Sequence, residues 1–158
     1  MSIAMYPGSF DPITKGHLDI IKRASNKFEH LIISIMVNPK KKATFSAIER
    51  KKLIKLCTKD IKNISIIIDN GLTIKLAQKH KVDVLIRGIR AVTDYELELQ
   101  QASVNMALDE SIETLFLISK PEYSFLSSSS AKELASLKGD ITSFIPPQII
   151  KSIQTKFK

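Results

Sequence analysis

Short apolar runs alternate with longer amphipathic stretches along the whole chain. Ile3-Ala4-Met5-Tyr6 reads as a first strand closed by Pro7-Gly8, and residues 17–28 as a helix, with Leu18, Ile21, Ala24 and Phe28 near helical spacing. Leu31 to Val37 is a second strand, rich in β-branched residues and ending before Asn38-Pro39. A lysine-rich loop, 40–43, leads into a second helix, where Ser46 and Glu49 stand at the spacing of a capping box. Further along, Ile64 to Ile68, Val82 to Ile86 and Thr114 to Ile118 read as strands, separated by helices over Leu72 to His80 and 94–108. Helices over Ser128 to Leu137 and Pro147 to Phe157 close the chain, the second with a proline near its first turn.

Strand–helix alternation of this kind predicts an α/β fold: a single doubly wound domain over residues 1–158, with a five-stranded parallel sheet and C-terminal helices. The continuous Val/Ile/Leu runs predict strands buried on both faces. Sheets of this type bind ligands beyond the carboxyl ends of their strands, so residues just after strands are the ones to weigh.

A chain of 158 residues is long enough for a core without disulfide or metal staples. Its one cysteine, Cys57, allows no internal disulfide and lies in Leu53-Ile54-Lys55-Leu56-Cys57, where an inert buried thiol is expected. His30 and His80 have no Cys, His or Asp partner at ligand spacing, so no protein metal site is expected. No apolar run approaches the roughly 18 residues of a membrane span, and no secretory pattern opens the sequence, so a cytoplasmic location without membrane attachment is expected. Charge is the feature that departs from the ordinary, with 24 Lys+Arg against 16 Asp+Glu. A net +8 points to a polyanionic partner. The excess is uneven, thirteen basic residues against four acids over residues 15–62, and one lysine against seven acids over 94–122. A nucleic-acid-binding module would also explain the charge, but there is no Trp, only 6% aromatic residues and no recognisable binding motif, so no nucleic acid partner is expected.

Three segments carry chemistry. The first strand runs into Pro7-Gly8-Ser9-Phe10-Asp11-Pro12-Ile13-Thr14-Lys15-Gly16-His17, which is neither G-x-G-x-x-G nor a P-loop. It offers glycines for close backbone approach and a helix N-terminus beside the loop, where an anion is favoured. His17 in the first turn would aim an imidazole there, or simply cap the helix. At the end of the fourth strand, Arg87 and Arg90 are two of only four arginines in the chain, and a guanidinium fork suits phosphate oxygens. After the fifth strand, Tyr123-Ser124-Phe125-Leu126-Ser127-Ser128-Ser129-Ser130 precedes a helix, either as a flexible N-capping loop or as an anion cradle of hydroxyls and amides.

Thr14-x-Gly16-His17 resembles the T/H-x-G-H signature of the nucleotidyltransferase superfamily with a Rossmann-like fold. The string Tyr6 to His17, the run Ile86 to Glu98, the serine-rich segment and Gly139 to Pro146 together resemble the bacterial phosphopantetheine adenylyltransferases over essentially the whole chain. The resemblance implies transfer of AMP from ATP to 4′-phosphopantetheine, giving dephospho-coenzyme A and pyrophosphate. It assigns ATP to Ser9, Phe10, His17, Gly88, Ile89, Arg90, Glu98, Tyr123, Ser124, Phe125, Leu126, Ser127, Ser128 and Ser129. It assigns phosphopantetheine to Ser9, Lys41, Leu72, Thr73 and Arg87, and makes His17 the transition-state stabiliser, aided by Lys41 and Arg90. Which of Lys40, Lys41 and Lys42 faces the substrate stays open. It further implies Mg²⁺ carried by the triphosphate, a homohexamer, and feedback binding of coenzyme A. Tyr123 stands where many relatives have Trp. A nicotinate mononucleotide adenylyltransferase is the nearest rival; such enzymes carry a histidine at the place of Thr14 and lack the Arg-Gly-x-Arg segment.

Overall fold

A computed structural model describes residues 2–158. Its five parallel strands are β1 (Ile3–Gly8), β2 (His30–Met36), β3 (Ile64–Asp69), β4 (Val84–Ile89) and β5 (Glu113–Ile118), in spatial order β3-β2-β1-β4-β5. Between them run α1 (Lys15–Ser25), α2 (Ala47–Cys57), α3 (Thr73–Lys79) and α4 (Val92–Leu108). Short 3₁₀ turns at Pro121–Tyr123 and Pro147–Ile149 precede α5 (Ser128–Ser136) and α6 (Ile150–Lys156). The chain winds outward from β1 to β3, then returns to place β4 against the other side of β1. That reversal makes the β1/β4 boundary the switch point at which such sheets open a crevice.

Alternation along β1 divides the core in two. Ala4 and Tyr6 join Leu31, Ile33 and Ile35 of β2 beneath α1, α2, α5 and α6, while Met5 joins Ile32, Leu85 and α3 on the opposite face. The stripe that α2 turns inward is Arg50, Leu53, Ile54 and Cys57, the i, i+3, i+4, i+7 spacing of a packed helix with an arginine in the first place. Cys57 is buried, and burial pushes its thiol up to about 12, so it is an inert core residue.

Several boundaries differ from the sequence expectations. β1 continues through Pro7 to Gly8, paired to β2 as far as Gly8–Ile35, whereas its pairing with β4 covers only Ala4–Val84 and Met5–Leu85. Proline has no N–H for a ladder on both sides, and here the two strands part where it stands. β4 reaches Ile89, so Arg87 and Gly88 lie within the strand rather than after it. Helix α1 stops at Ser25, before Phe28, and α6 is only Ile150–Lys156 because Pro147 opens a 3₁₀ turn. β3 is an edge strand and only half-buried despite its apolar run. Helix α4 buries no residue at all; Leu97, Val104, Met106 and Leu108 are each at least half exposed. Among the described residues no helix is long and apolar enough to cross a membrane.

At the amino end of the sheet, Asn63 closes the α1–β2 turn by donating its amide to the carbonyls of Ser25 (2.8 Å) and Phe28 (3.1 Å). Asn63→Ala leaves these carbonyls without their donor and is expected to cost about 1–3 kcal/mol in denaturant unfolding. The carboxyl ends of the strands, at the opposite end of the sheet, should keep their structure.

Candidate active site

Past Gly8 the backbone makes a turn that most side chains would resist. Phe10 has φ 47°, in the left-handed region, with its ring 1% exposed beneath the loop. A Cβ on Gly8 would lie 3.0 Å from that ring, so any larger residue here would press on the buried Phe10 side chain. Asp11 ties the turn down. Its carboxylate accepts the N–H groups of Thr44 (3.0 Å) and Phe45 (2.8 Å) and pairs with Lys132 Nζ of α5 at 3.0 Å. Burial alone would raise the Asp11 carboxyl, but these donors outweigh it and hold it below its usual range. The stabilisation is therefore complete at neutral pH and lost as pH falls from the ordinary carboxylate pKa through the lowered one.

Helix α1 begins immediately afterwards, with Thr14 as N-cap. The Thr14 hydroxyl accepts the His17 N–H at 3.3 Å, and the Thr14 N–H donates to His17 Nδ1 at 3.1 Å. This is a capping box in which histidine takes the place usually held by Glu or Gln. A backbone N–H can only donate, so Nδ1 must be the acceptor, and the ring proton belongs on Nε2. Burial, with smaller contributions from the Arg90 and Arg87 charges, pulls the imidazole down from 6.5 to about 4. The rings of Phe10 and Tyr6 flank it, with centroids at 5.2 and 6.5 Å. His17 is therefore a neutral, oriented Nε2–H donor. The same residue thus caps the helix and turns its Nε2 edge outward from the cap.

His17 faces a cavity of about 310 Å³ lined also by Ser9, Phe10, Arg87, Gly88, Arg90 and Ser127–Ser129. Arg87 is gripped by Glu98, to which it donates from Nε and Nη2, and by the Pro7 carbonyl at 2.8 Å, where β1 and β4 part. Arg90 donates from Nε and Nη2 to Asp94 and from Nη1 to the Leu126 carbonyl. Each guanidinium has five N–H donors; three are taken, and two remain for a ligand. On the opposite wall Ser127 caps α5, accepting Ser130 N–H at 3.0 Å, and Ser128 Oγ donates to the Pro12 carbonyl at 2.7 Å. The N-termini of α1 and α5 thus converge on one cavity, and neither helix carries an acid in its first turn. A smaller groove of about 100 Å³ adjoins it, sharing Pro7, Arg87 and Glu98, and lined by Leu72, Thr73, Gln101 and Asn105.

The structure thus gathers Ser9, Phe10, His17, Arg87, Gly88, Arg90, Glu98, Leu126, Ser127, Ser128 and Ser129 around one cavity, and places Leu72 and Thr73 in its extension. Ile89, Tyr123, Ser124 and Phe125 do not line it; Tyr123 and Phe125 line a different depression beyond Gly16. Lys41 is exposed on the loop after β2, like Lys40 and Lys42. The sequence reading missed Asp94 and Gln101. Asp94 carried a signal, since it stands one helical turn after Arg90; Gln101 is revealed only by the packing of α4 beside β4. Among the described residues no three His, Cys, Asp or Glu side chains cluster as a metal site.

The cytidylyltransferase-like family model matches residues 5–134. Proteins named phosphopantetheine adenylyltransferase are similar over nearly the full length. That of Clostridium perfringens (strain SM101) is 44% identical over 99% of this chain and 95% of its own, and that of Clostridium novyi (strain NT) 49% identical over 99% and 97%. The solved structure of Plasmodium falciparum nicotinic acid mononucleotide adenylyltransferase complexed with NaAD superposes with TM-score 0.70 over 99% of this chain and 98% of that one. At 17% identity the likeness is one of fold.

Histidine-selective ¹⁵N NMR tests the state of the imidazole. His17 should show the Nε2–H tautomer and remain neutral from pH 8 down to pH 5, with a midpoint at about 4 in the free protein. A midpoint near the ordinary 6.5 would contradict the geometry.

Proposed function

This chain belongs to the phosphopantetheine adenylyltransferase family, and from that premise we propose that it transfers AMP from ATP to 4′-phosphopantetheine, forming dephospho-coenzyme A and pyrophosphate. The observation that carries this reading is the neutral His17 donor at the start of α1, facing a cavity whose other walls are two guanidinium forks and a serine-capped helix.

The nucleophile, a phosphate monoester with a second pKa of about 6, is already ionised at neutral pH. No general base is needed, and a histidine depressed to about 4 with Nδ1 engaged by Thr14 is poorly suited to be one. What remains is to hold two polyanions in line and to stabilise charge building on the α-phosphate oxygens. His17 Nε2–H would donate to those oxygens. The free N–H groups of Ser9 and Phe10 would line the triphosphate path, and Ser127–Ser129 with Arg90 would hold its β- and γ-phosphates. Arg87 and Lys41 would anchor the incoming phosphate, and the groove past Leu72, Thr73 and Asn105 would take the pantetheine arm, where coenzyme A would also compete. Glu98 is assigned by the resemblance to the nucleotide; its carboxylate orients Arg87.

Asp94 and Glu98, the carboxylates lining the cavity, are both committed to arginines. The residues present therefore suit Mg²⁺ carried on triphosphate oxygens and water rather than in a protein cage. Bound there, it would offset charge on the leaving pyrophosphate. A homohexamer is part of the proposal; the apolar exposure of α4, together with exposed Leu115 and Ile118 on β5, supports assembly through that edge.

Pyrophosphate release from ATP should require 4′-phosphopantetheine and should not occur with nicotinate mononucleotide in its place. His17→Ala should lower kcat by about 10²–10³, the loss typical of a removed transition-state donor, with a smaller effect on ATP affinity. Turnover with nicotinate mononucleotide alone would overturn the assignment, and an unchanged kcat would remove His17 from the mechanism.

A further inference from the structure

The charged side chains lining the cavity cancel, Arg87 against Glu98 and Arg90 against Asp94, and Lys132 behind it is paired with Asp11. One cation nearby is not cancelled. Arg50 of α2 is 3% exposed, and among the described residues no carboxylate lies within ion-pair distance of it. Its Nη1 donates to the Ser9 carbonyl at 2.8 Å, and its Nε has no partner. A buried guanidinium in this state is costly, and an apolar side chain on the Leu53–Ile54–Cys57 stripe would pack without that cost.

The bond to Ser9 suggests what the arginine does. In a trans peptide the C=O and N–H point in opposite directions, and the cis bond in this loop is Asp11–Pro12, not Ser9–Phe10. Holding the Ser9 carbonyl toward α2 therefore turns the Phe10 N–H away from α2, on a peptide whose two residues both line the cavity. That N–H has no acceptor among the described residues. The same bond braces Phe10 in its left-handed conformation, and a cation on the carbonyl polarises the peptide and strengthens its N–H as a donor.

We propose that Arg50 is a positioning residue for phosphate transfer: its buried guanidinium fixes the Ser9–Phe10 peptide so that the Phe10 N–H is presented to substrate phosphate beside His17, and it places an uncompensated positive charge behind that loop. The inference rests on the adenylyltransferase reading and adds to it a residue outside the cavity lining.

Arg50→Met removes the charge and the bond while keeping an unbranched side chain of similar reach. Losing the unpaired buried charge relieves a desolvation cost, while leaving the Ser9 carbonyl without its donor adds one of about 1–3 kcal/mol, so the variant should stay folded and melt within about 5 °C of the wild type. Its kcat should nevertheless fall by about 10–100-fold, less than for loss of a direct transition-state donor. The KM for 4′-phosphopantetheine should stay within about twofold, since that phosphate is held by other donors. Arg50→Lys, which keeps a cation able to reach the Ser9 carbonyl, should recover most of the lost kcat. A methionine variant with kcat within about twofold of wild type overturns the proposal. So does one that is unfolded or clearly less stable, because Arg50 would then serve the fold. A wild-type protein that releases no pyrophosphate would instead remove the functional reading itself, whatever the Arg50 variants do.

Discussion

The hydrogen bond from the Thr14 N–H to His17 Nδ1 serves the fold and the chemistry together. A helix start leaves backbone donors unsatisfied, and something must accept them. Here the acceptor is an imidazole nitrogen, so capping α1 also decides which nitrogen keeps its proton and where the ring points. A Glu in that place would cap equally well but would put a negative charge at the mouth of an anion site. With histidine, a neutral donor faces a cavity between two converging helix N-termini, and its neutrality follows from the same burial that lets Phe10 and Tyr6 pack against it. The parting of β1 and β4 at Pro7 is what gives this donor a crevice to face.

Charge is handled by pairing rather than accumulation. The net +8 of the chain is not concentrated in the cavity, where Arg87 and Arg90 each meet a carboxylate. Glu98 and Asp94 give up net positive potential, and in return the guanidinium planes are fixed before a ligand arrives. A flexible lysine has to be ordered by its phosphate; a fork held on one edge presents its remaining donors without that entropy cost. In the proposed function, phosphate would therefore be recognised by donor direction, supplemented by helix dipoles and by the buried Arg50 guanidinium behind the first loop.

Much of this was legible in the residues. The βα alternation is enough for a parallel doubly wound sheet, and the string from Pro7 to His17 marks the crevice because loop and helix start are contiguous in sequence. What escaped depends on tertiary packing. Arg87 and Gly88 lie inside β4 because β5 continues to pair with them up to Ile89–Ile118. Tyr123 and Phe125 sit outside the cavity because the Pro121–Tyr123 turn carries them beyond Gly16. Arg87 finds Glu98 through α4 packing over β4, eleven residues on, which no helical spacing reveals. Arg50 did leave a trace, a charge on the first position of an apolar stripe, but its lack of a counter-ion is visible only in three dimensions.

The most direct test of the oriented, neutral donor is a crystal structure of the protein with a non-hydrolysable ATP analogue. An α-phosphate oxygen should lie about 2.7–3.2 Å from His17 Nε2, with Nδ1 still accepting the Thr14 N–H. A triphosphate bound with its α-phosphate out of reach of Nε2, or an imidazole turned so that Nδ1 has left Thr14, would contradict it.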